Sequence, residues 1–373
     1  MMQNFGIYVH IPFCQKKCRY CDFTSFHKFD NEIKQTYVQA ILREIENCEV
    51  KKKVTTIYIG GGTPSILPAE WIQQILQKIC EKFEIQKGAE ITIEVNPGMI
   101  DFKKLKKYRE LGINRLSIGL QAVQNSLLKL LGRIHTFEDF ERAYEEARKV
   151  GFTNVNVDLM LGLPTQTLAQ IKESLQKVMA LKPEHISLYS LILEKGTELE
   201  ELVSKDELQM ITEDLEREMY WQTKKILEEN GYSHYEISNF ATKGFVSRHN
   251  LSCWEQEEYV GFGVSAHSYV DKKRFCNGDD LLDYIKSGNV NRIVQEEQTF
   301  EEQAKEYVML GLRKIEGISI SQFERKFRVH PLFYFRFEIS KLEKEGLLEV
   351  DLDAIRLTKK GLDFANLVFE EFV

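Results

Sequence analysis

Along the first half of the chain, short apolar segments alternate with longer amphipathic segments. The short segments are rich in β-branched residues, as buried strands are, and the longer ones repeat their apolar residues with the period of a helix. Six such strand–helix units in succession predict a parallel sheet covered by helices, either an open doubly wound sheet or a partial barrel. Both architectures bind ligands at the C-terminal ends of the strands. The predicted strands are residues 6–11, 54–59, 90–95, 115–118, 154–159 and 185–189.

The pattern changes in the second half of the chain. Residues 196–295 begin with a charged helical segment, 211–229, and continue with short segments that we expect to add strands to the edge of the main sheet. From residue 296 onward, helical periodicity returns and is followed by two short strand-like segments, which together predict a winged-helix-like domain. Its predicted elements are helices at 300–314, 321–327 and 332–345, strands at 347–350 and 355–358, and a last helix from Lys359. The predicted domains are therefore 1–195, 196–295 and 296–373.

Composition and charge argue against a protein that binds nucleic acid, spans a membrane or is secreted. The 373 residues carry 50 basic and 57 acidic side chains, a net charge of −7, and no basic segment stands out. Nucleic-acid binding needs a positive surface, and the predicted wing, residues 349–354, is acidic. We therefore expect the C-terminal domain to pack or to bind a protein partner, with no nucleic acid. No apolar stretch reaches the length of a membrane span and the N-terminus lacks a secretory pattern, which predicts a cytoplasmic protein.

Three of the seven cysteines form a cluster directly after the first predicted strand. Cys14, Cys18 and Cys21 have the spacing C-x3-C-x2-C, and no fourth cysteine lies near them. Three thiolates on one short loop can hold three irons of a [4Fe–4S] cluster and leave the fourth iron open to a substrate or cofactor. The alternative is a zinc site, which usually has four ligands and would need His10 or His27 to complete it.

Further candidate ligand groups follow the next strands. After the second strand comes Gly60-Gly61-Gly62-Thr63, where the lack of Cβ atoms lets the backbone approach a small polar ligand such as the amino group of a methionine. Carboxylates within apolar strands are costly to bury unless they are paired or bind something. Ribose hydroxyls would suit the carboxylates, and a ligand carboxylate would suit an arginine. The alternative for each is a structural ion pair. These candidates are Glu94, Gln121, Arg133 and Asp158.

Several motifs together make the sequence resemble a known family. The motifs 8–23, 60–64, 115–121, 249–254 and 261–267 are similar to those of the radical S-adenosylmethionine (SAM) proteins related to oxygen-independent coproporphyrinogen III oxidase, over nearly the whole chain. The resemblance implies a partial (βα)6 radical SAM barrel with added strands and a C-terminal helical domain. It also implies Cys14, Cys18 and Cys21 as ligands of a [4Fe–4S] cluster. The implied SAM contacts are Tyr8, Tyr20, Gly61, Gly62, Thr63, Glu94, Gln121, Arg133 and Asp158, with Ile192 and His267 contributing mainly backbone.

Two departures favour one branch of this family. The oxidases carry a fourth cysteine at the position of Phe23, and they have a longer segment before the cluster than the thirteen residues that precede Cys14. Both departures match the heme chaperone branch, whose loop ends in Cys-Asp-Phe. That resemblance implies a protein that binds heme and passes it to an acceptor hemoprotein, with membrane proteins among the transient acceptors. An electron donor such as flavodoxin or ferredoxin is implied for the cluster.

The heme-associated motif of that branch is His-Asn-x-x-Tyr-Trp. Here it begins at His249 and has Cys253 in place of the tyrosine. An exposed histidine can ligate heme iron through its neutral imidazole, so His249 is the candidate heme contact. The alternative is that His249 hydrogen-bonds a local turn.

Three other functions remain open from the sequence. The first is radical decarboxylation of coproporphyrinogen III, the second is radical SAM methyl transfer, and the third is a non-catalytic iron–sulfur or zinc protein.

Overall fold

The computed structural model describes residues 4–287 and 293–373. Its first half is a run of six parallel strands, β1 to β6, that lie side by side in sequence order. This confirms the predicted α/β architecture with a parallel sheet. The elements are β1 Phe5–Ile11, α1 Asn31–Glu46, β2 Val54–Gly61, α2 Ala69–Lys82, β3 Ile85–Val95, α3 Phe102–Glu110, β4 Arg115–Gln121, α4 Asn125–Leu130, α5 Phe137–Val150, β5 Val155–Leu161, α6 Leu168–Ala180 and β6 His185–Ser190.

These strands form because their apolar residues are buried on both faces. In β1 and in β5 every residue but the central one is buried, as expected for a parallel sheet enclosed by helices. Four of these six helices begin where a side chain caps a free N–H group. Thr136 and Thr167 each form a reciprocal capping box, the first with Asp139 and the second with Gln170.

The second segment adds strands to both edges of this sheet. At one edge, β8 pairs antiparallel with β6, and at the other, β9 pairs parallel with β1. The expected strand additions are therefore present, but they are divided between the two ends of the sheet. The elements are α7 Glu198–Ser204, α8 Glu213–Glu229, β7 Ser233–Glu236, β8 Asn239–Ala241, α9 Arg248–Trp254, β9 Glu258–Phe262, β10 His267–Val270, β11 Lys273–Cys276, α10 Leu281–Ser287 and β12 Ile293–Glu297.

The C-terminal segment has its own apolar core and a small antiparallel sheet in the order β13-β15-β14. The predicted hairpin is present. The predicted helix 332–345 is interrupted at Phe335, which separates α13 from α14. The elements are α11 Phe300–Gly311, β13 Ile318–Ser319, α12 Ile320–Phe327, α13 Pro331–Tyr334, α14 Arg336–Lys344, β14 Leu348–Val350, β15 Ala354–Leu357, α15 Lys359–Asp363 and α16 Ala365–Glu370. Across residues 4–287 and 293–373, no helix has the length and apolarity needed to cross a membrane.

A buried carboxylate joins the first helix to the added strands. Glu44 on α1 is fully buried, and its oxygens accept hydrogen bonds from the backbone N–H of Gly263 at 2.9 Å and the Asn277 amide at 2.7 Å. The hydroxyl of Tyr284 donates to it at 2.6 Å. Gly263 follows β9, Asn277 follows β11 and Tyr284 lies on α10. One side chain on α1 therefore holds three segments at this edge of the sheet.

Replacing this carboxylate should therefore destabilise the fold. We expect Glu44→Ala to lower the free energy of unfolding by about 3 kcal/mol, because three buried donors lose their acceptor. Glu46→Ala on the exposed side of the same helix, where Glu46 pairs with Lys78, is the matched control and should cost less than about 1 kcal/mol. Urea unfolding followed by circular dichroism measures both. Equal losses in the two variants would contradict this role of Glu44.

Candidate functional site

A cavity of about 360 Å³ opens at the C-terminal ends of the parallel strands. The edge at which it lies is the one predicted from the sequence. Most of the predicted site residues line it, namely Cys14, Cys18, Tyr20, Cys21, Gly61, Gly62, Thr63, Glu94, Gln121, Arg133 and Asp158. Residues that the sequence analysis did not single out complete the lining, including Tyr58, Ser117, Met160 and Tyr189.

Backbone hydrogen bonds hold the cysteine loop over this cavity. The N–H of Cys14 donates to the carbonyl of Phe26 at 2.9 Å, and the N–H of Arg19 donates to the carbonyl of Leu131 at 3.0 Å. Two side chains from other parts of the chain, one after β2 and one after α4, reach the sulfurs. Thr63 Oγ1 lies 3.6 Å from Cys14 Sγ, and Arg133 Nη1 lies 3.6 Å from Cys18 Sγ. The loop is thus bound to the ends of β1 and β2 and to the segment after α4.

The donor set suits an iron–sulfur cluster. Cys14, Cys18 and Cys21 are half-buried free thiols on the wall of one cavity. In the described part of the chain, no three His, Cys, Asp or Glu side chains converge on one point as ligands of a single metal ion would. A four-iron cluster needs no such convergence, because each cysteine binds a different iron. Burial raises the pKa of Cys14 and raises that of Cys21 to about 11, so binding to iron would be what deprotonates these thiols.

The glycine run lies directly against the cysteine loop. Gly61 has φ = 113°, in the region that favours glycine. A Cβ on Gly62 would lie 2.9 Å from the carbonyl oxygen of Phe13 and 3.0 Å from Cys14 Sγ. The second strand therefore ends in backbone that only glycine can bring this close to the first cysteine.

Glu94 and Asp158 are partnered by neutral hydrogen-bond donors. Tyr58 donates its hydroxyl to Glu94 Oε1 at 2.8 Å, and the N–H of Gly61 donates to Oε2 at 3.1 Å. Asn156 and Ser117 donate to Asp158 at 2.7 and 3.3 Å. Neither carboxylate forms a salt bridge within the described residues, so the structural ion pair considered from the sequence is not what the structure contains. Burial raises the pKa of Asp158 and raises that of Glu94 to about 7.

Arg133 and Gln121 both lie at the end of the fourth strand, since Gln121 is its last residue and Arg133 bonds to it from the segment after α4. Arg133 Nη2 donates to the carbonyl of Gly119 at 2.6 Å, which directs the guanidinium across the cavity toward Cys18. Gln121 has φ = 75°, a left-handed conformation that is costly for a residue with a side chain. The register of β4 against β5 shifts between Gly119 and Gln121, and this irregularity turns the Gln121 side chain into the site.

A second cleft of about 460 Å³ lies beside the first cavity. It contains the other predicted site residues except Ile192, which lies on the exposed loop after β6 and lines neither cavity. The exposed ring of Phe23 lines both cavities. The lining residues are Tyr8, His10, Asp22, Phe23, Thr24, His249, Cys253, Tyr259, Ser265 and His267.

The aromatic ring of Tyr58 forms the partition between the two cavities. Its centroid is 6.3 Å from that of Tyr8 and 5.1 Å from that of His249, with both rings stacked on it. Its hydroxyl is bound to Glu94 on the side of the first cavity. Tyr58 is not among the site residues predicted from the sequence, although the sequence contains a signal for it. Alternate residues of a strand share a face, so Thr56, Tyr58 and Gly60 point inward together.

His249 is buried, which corrects the expectation of an exposed histidine. Only 6% of the residue is exposed, and Nδ1 lies 2.9 Å from Thr56 Oγ1 on β2. This partner is 193 residues away in the chain, so the hydrogen bond is not the local turn contact considered as the alternative. The helix that carries His249 is fixed by Glu90, which accepts hydrogen bonds from the N–H groups of Arg248 and His249 at 3.1 Å each. Burial lowers the pKa of His249 to about 4, so its imidazole is neutral.

Two family models match the chain. The model of the radical SAM superfamily matches residues 8–178, and the model of the HemN C-terminal domain matches residues 298–364. The chain is 37% identical to the heme chaperone HemW of Lactococcus lactis, over 98% of this chain and 96% of the relative. It is also 37% identical to the heme chaperone HemW of Bacillus subtilis, over 98% of each. A mitochondrial radical S-adenosyl methionine domain-containing protein 1 from Bos taurus is 31% identical over 96% of this chain and 85% of its own length.

Among solved structures, the coproporphyrinogen III oxidase HemN of Escherichia coli shares this fold. The two superpose with a TM-score of 0.85 over 99% of this chain and 90% of that one, at 24% sequence identity. This likeness confirms the predicted radical SAM architecture.

Because the pKa of Glu94 is raised in the folded protein, the stability of the protein should depend on pH. The pKa of Glu94 is about 7 in the folded protein and that of an ordinary glutamate is 4.5, so between these pH values the native state holds a proton that the unfolded chain releases. Wild-type stability should therefore fall as the pH rises from about 4.5 to 7. Glu94→Gln cannot ionise and should gain roughly 1–3 kcal/mol relative to wild type between pH 5 and pH 8. Thermal unfolding of the SAM-free protein at both pH values measures the difference. Glu110→Gln on α3 is the matched control, and a pH-independent difference for Glu94→Gln would contradict the assignment.

Proposed function

The chain belongs to the radical SAM superfamily and, within it, to the family of the heme chaperone HemW, and we propose that it binds heme and transfers it to acceptor hemoproteins. The observation that carries the proposal is the pair of adjoining cavities. One is lined by the three cysteines, the other by three histidines and two tyrosines, and Phe23 borders both.

The first cavity would hold the cofactors of the superfamily, SAM and a [4Fe–4S] cluster. Cys14, Cys18 and Cys21 would bind three irons. A reduced cluster of this type supplies an electron that can cleave SAM, and a flavodoxin or ferredoxin would provide that electron. The glycine backbone after β2 leaves room for the methionine end of SAM, and Arg133 would pair with its carboxylate.

The remaining predicted contacts divide between the ribose and the adenine of SAM. Glu94 and Asp158 are oriented by neutral donors and keep further acceptor lone pairs, which ribose hydroxyls would use. Tyr20 lies on the wall of the same cavity and would contact the adenine, together with Gln121. Tyr8, Ile192 and His267 do not line this cavity and would reach SAM only from outside it.

The second cleft would hold heme. It has the size of a small-molecule site and combines aromatic rings with neutral imidazoles, which suit a flat apolar macrocycle with a metal at its centre. His249 would form part of its wall. The acceptor hemoproteins would include proteins held in the membrane, and the chain would act in the cytoplasm.

The competing function is decarboxylation of coproporphyrinogen III, which the likeness in fold to the Escherichia coli oxidase keeps open. Phe23 supports the chaperone instead. At the place where the oxidases have a fourth cysteine, this chain has an apolar ring exposed between the two cavities.

One experiment separates the two functions. The protein is reconstituted anaerobically with iron and sulfide, titrated with heme, and then incubated with SAM, a reductant and coproporphyrinogen III. We expect about four irons per chain, saturable heme binding and no decarboxylated product. Cys14→Ala should lose the cluster absorbance, and Cys80→Ala, an exposed cysteine on α2, is the matched control. Decarboxylation without heme binding would establish the oxidase and overturn the chaperone.

A further inference from the structure

The second cleft contains three histidines, and their hydrogen bonds distinguish them. His10 has both ring nitrogens occupied. The hydroxyl of Tyr8 lies 2.9 Å from Nδ1, and the carbonyl oxygen of Thr24 lies 2.9 Å from Nε2. Since a carbonyl oxygen only accepts, Nε2 carries the proton and the Nδ1 lone pair accepts from Tyr8. His10 therefore has no lone pair free for a metal.

His249 is held in the wall of the cleft. Its Nδ1 is bound to Thr56, its ring is stacked on Tyr58, and a Cβ added to Gly6 would lie 3.3 Å from its Cε1. A heme iron approaches a histidine nitrogen in the plane of the imidazole ring. These contacts involve Nδ1, Cε1 and one face of the ring, and only 6% of the residue is exposed, so His249 is held in the wall and is far less accessible to an iron than an exposed histidine.

Cys253 also lines the cleft, on α9 next to the wall formed by His249. The metal-binding form of cysteine is the thiolate, so Cys253, like the three clustered cysteines, would have to lose its proton to bind a metal.

His267 differs from all of these groups. It is the first residue of β10, its side chain is exposed, and within the described residues its ring makes no hydrogen bond. Because neither ring nitrogen is engaged, the neutral imidazole offers a nitrogen lone pair to a metal from an exposed position and, unlike a thiol, binds the metal without losing a proton.

The strand pairing places the side chain of His267 on the same face of the sheet as Tyr259, an aromatic residue that lines the cleft. Tyr269 pairs directly with Tyr259 of β9, so the side chains of His267, Tyr269 and Tyr259 share one face of the sheet. Tyr259 lines the cleft next to His267. Arg274 stacks on Tyr269 and pairs with Glu306, which fixes the far end of this face.

We propose that His267 is the axial ligand of the heme iron in this cleft, with the porphyrin lying against Tyr259 and the wall formed by His249. The inference rests on the proposed heme chaperone function and names the group that holds the metal. It assigns His267 a side-chain role toward heme, in addition to the backbone contact with SAM expected from the sequence.

The test compares ferric heme with metal-free protoporphyrin IX, because only the first needs an axial ligand. We expect His267→Ala to lose the histidine-ligated absorption and electron paramagnetic resonance spectra and to bind ferric heme at least about tenfold more weakly, which is about 1.4 kcal/mol. Affinity for protoporphyrin IX should be unchanged. Added imidazole should restore the ligated spectrum. His330→Ala, an exposed histidine between α12 and α13, is the matched control and should behave as wild type.

Four other results are possible, and each would overturn either this proposal or the proposed heme function. A His267→Ala variant with the wild-type spectrum and affinity would overturn the proposal. Loss of the ligated spectrum in His249→Ala but not in His267→Ala would overturn it in favour of His249. Equal weakening of ferric heme and protoporphyrin IX would also overturn it, since that is the effect of a lost cleft wall. Failure of the wild-type protein to bind either porphyrin would instead refute the proposed heme function.

Discussion

The hydrogen bond from Tyr58 to Glu94 is the interaction on which both cavities depend. It orients the Tyr58 ring, against which Tyr8 and His249 stack on the side of the second cleft. The other oxygen of Glu94 binds the N–H of Gly61, beside the glycine that touches the first cysteine. A short chain of contacts thus runs from the wall of the proposed heme cleft to the cluster loop. Because the carboxylate is buried, each of these hydrogen bonds offsets part of its desolvation.

Several polar and charged side chains on the strands of the sheet are buried, and each needs a hydrogen-bond or charge partner. Arg115 at the start of β4 is only 2% exposed, and its charge lies near both carboxylates and histidines. It lowers the pKa of Asp158, against the larger effect of burial, and adds to burial in lowering the pKa of His185 and His249. The neighbouring histidines are therefore neutral, and His185 is fixed between Asn156 and Tyr235. A neutral histidine is also the form that can face a porphyrin or a metal.

The sequence predicts the local parts of this arrangement well. The strand ends, the cysteine loop and the glycine run are short patterns whose geometry follows from a few neighbouring residues, and the structure brings them to one edge of the sheet as expected. The burial of His249 could not be predicted, because it depends on Thr56 and Tyr58, about 190 residues earlier in the chain. The same holds for β9, whose parallel pairing with β1 closes one side of the second cleft. The break at Phe335 arises from packing within the C-terminal core, which helical periodicity does not report.

Under the proposed function, SAM and heme would occupy separate adjoining sites. Calorimetric titration of SAM into the cluster-containing protein, with and without saturating heme, tests it directly. We expect one equivalent of SAM to bind in both cases, because Tyr58 and its stacked neighbours separate the two cavities. Loss of SAM binding when heme is present, with competitive dependence on heme concentration, would contradict it.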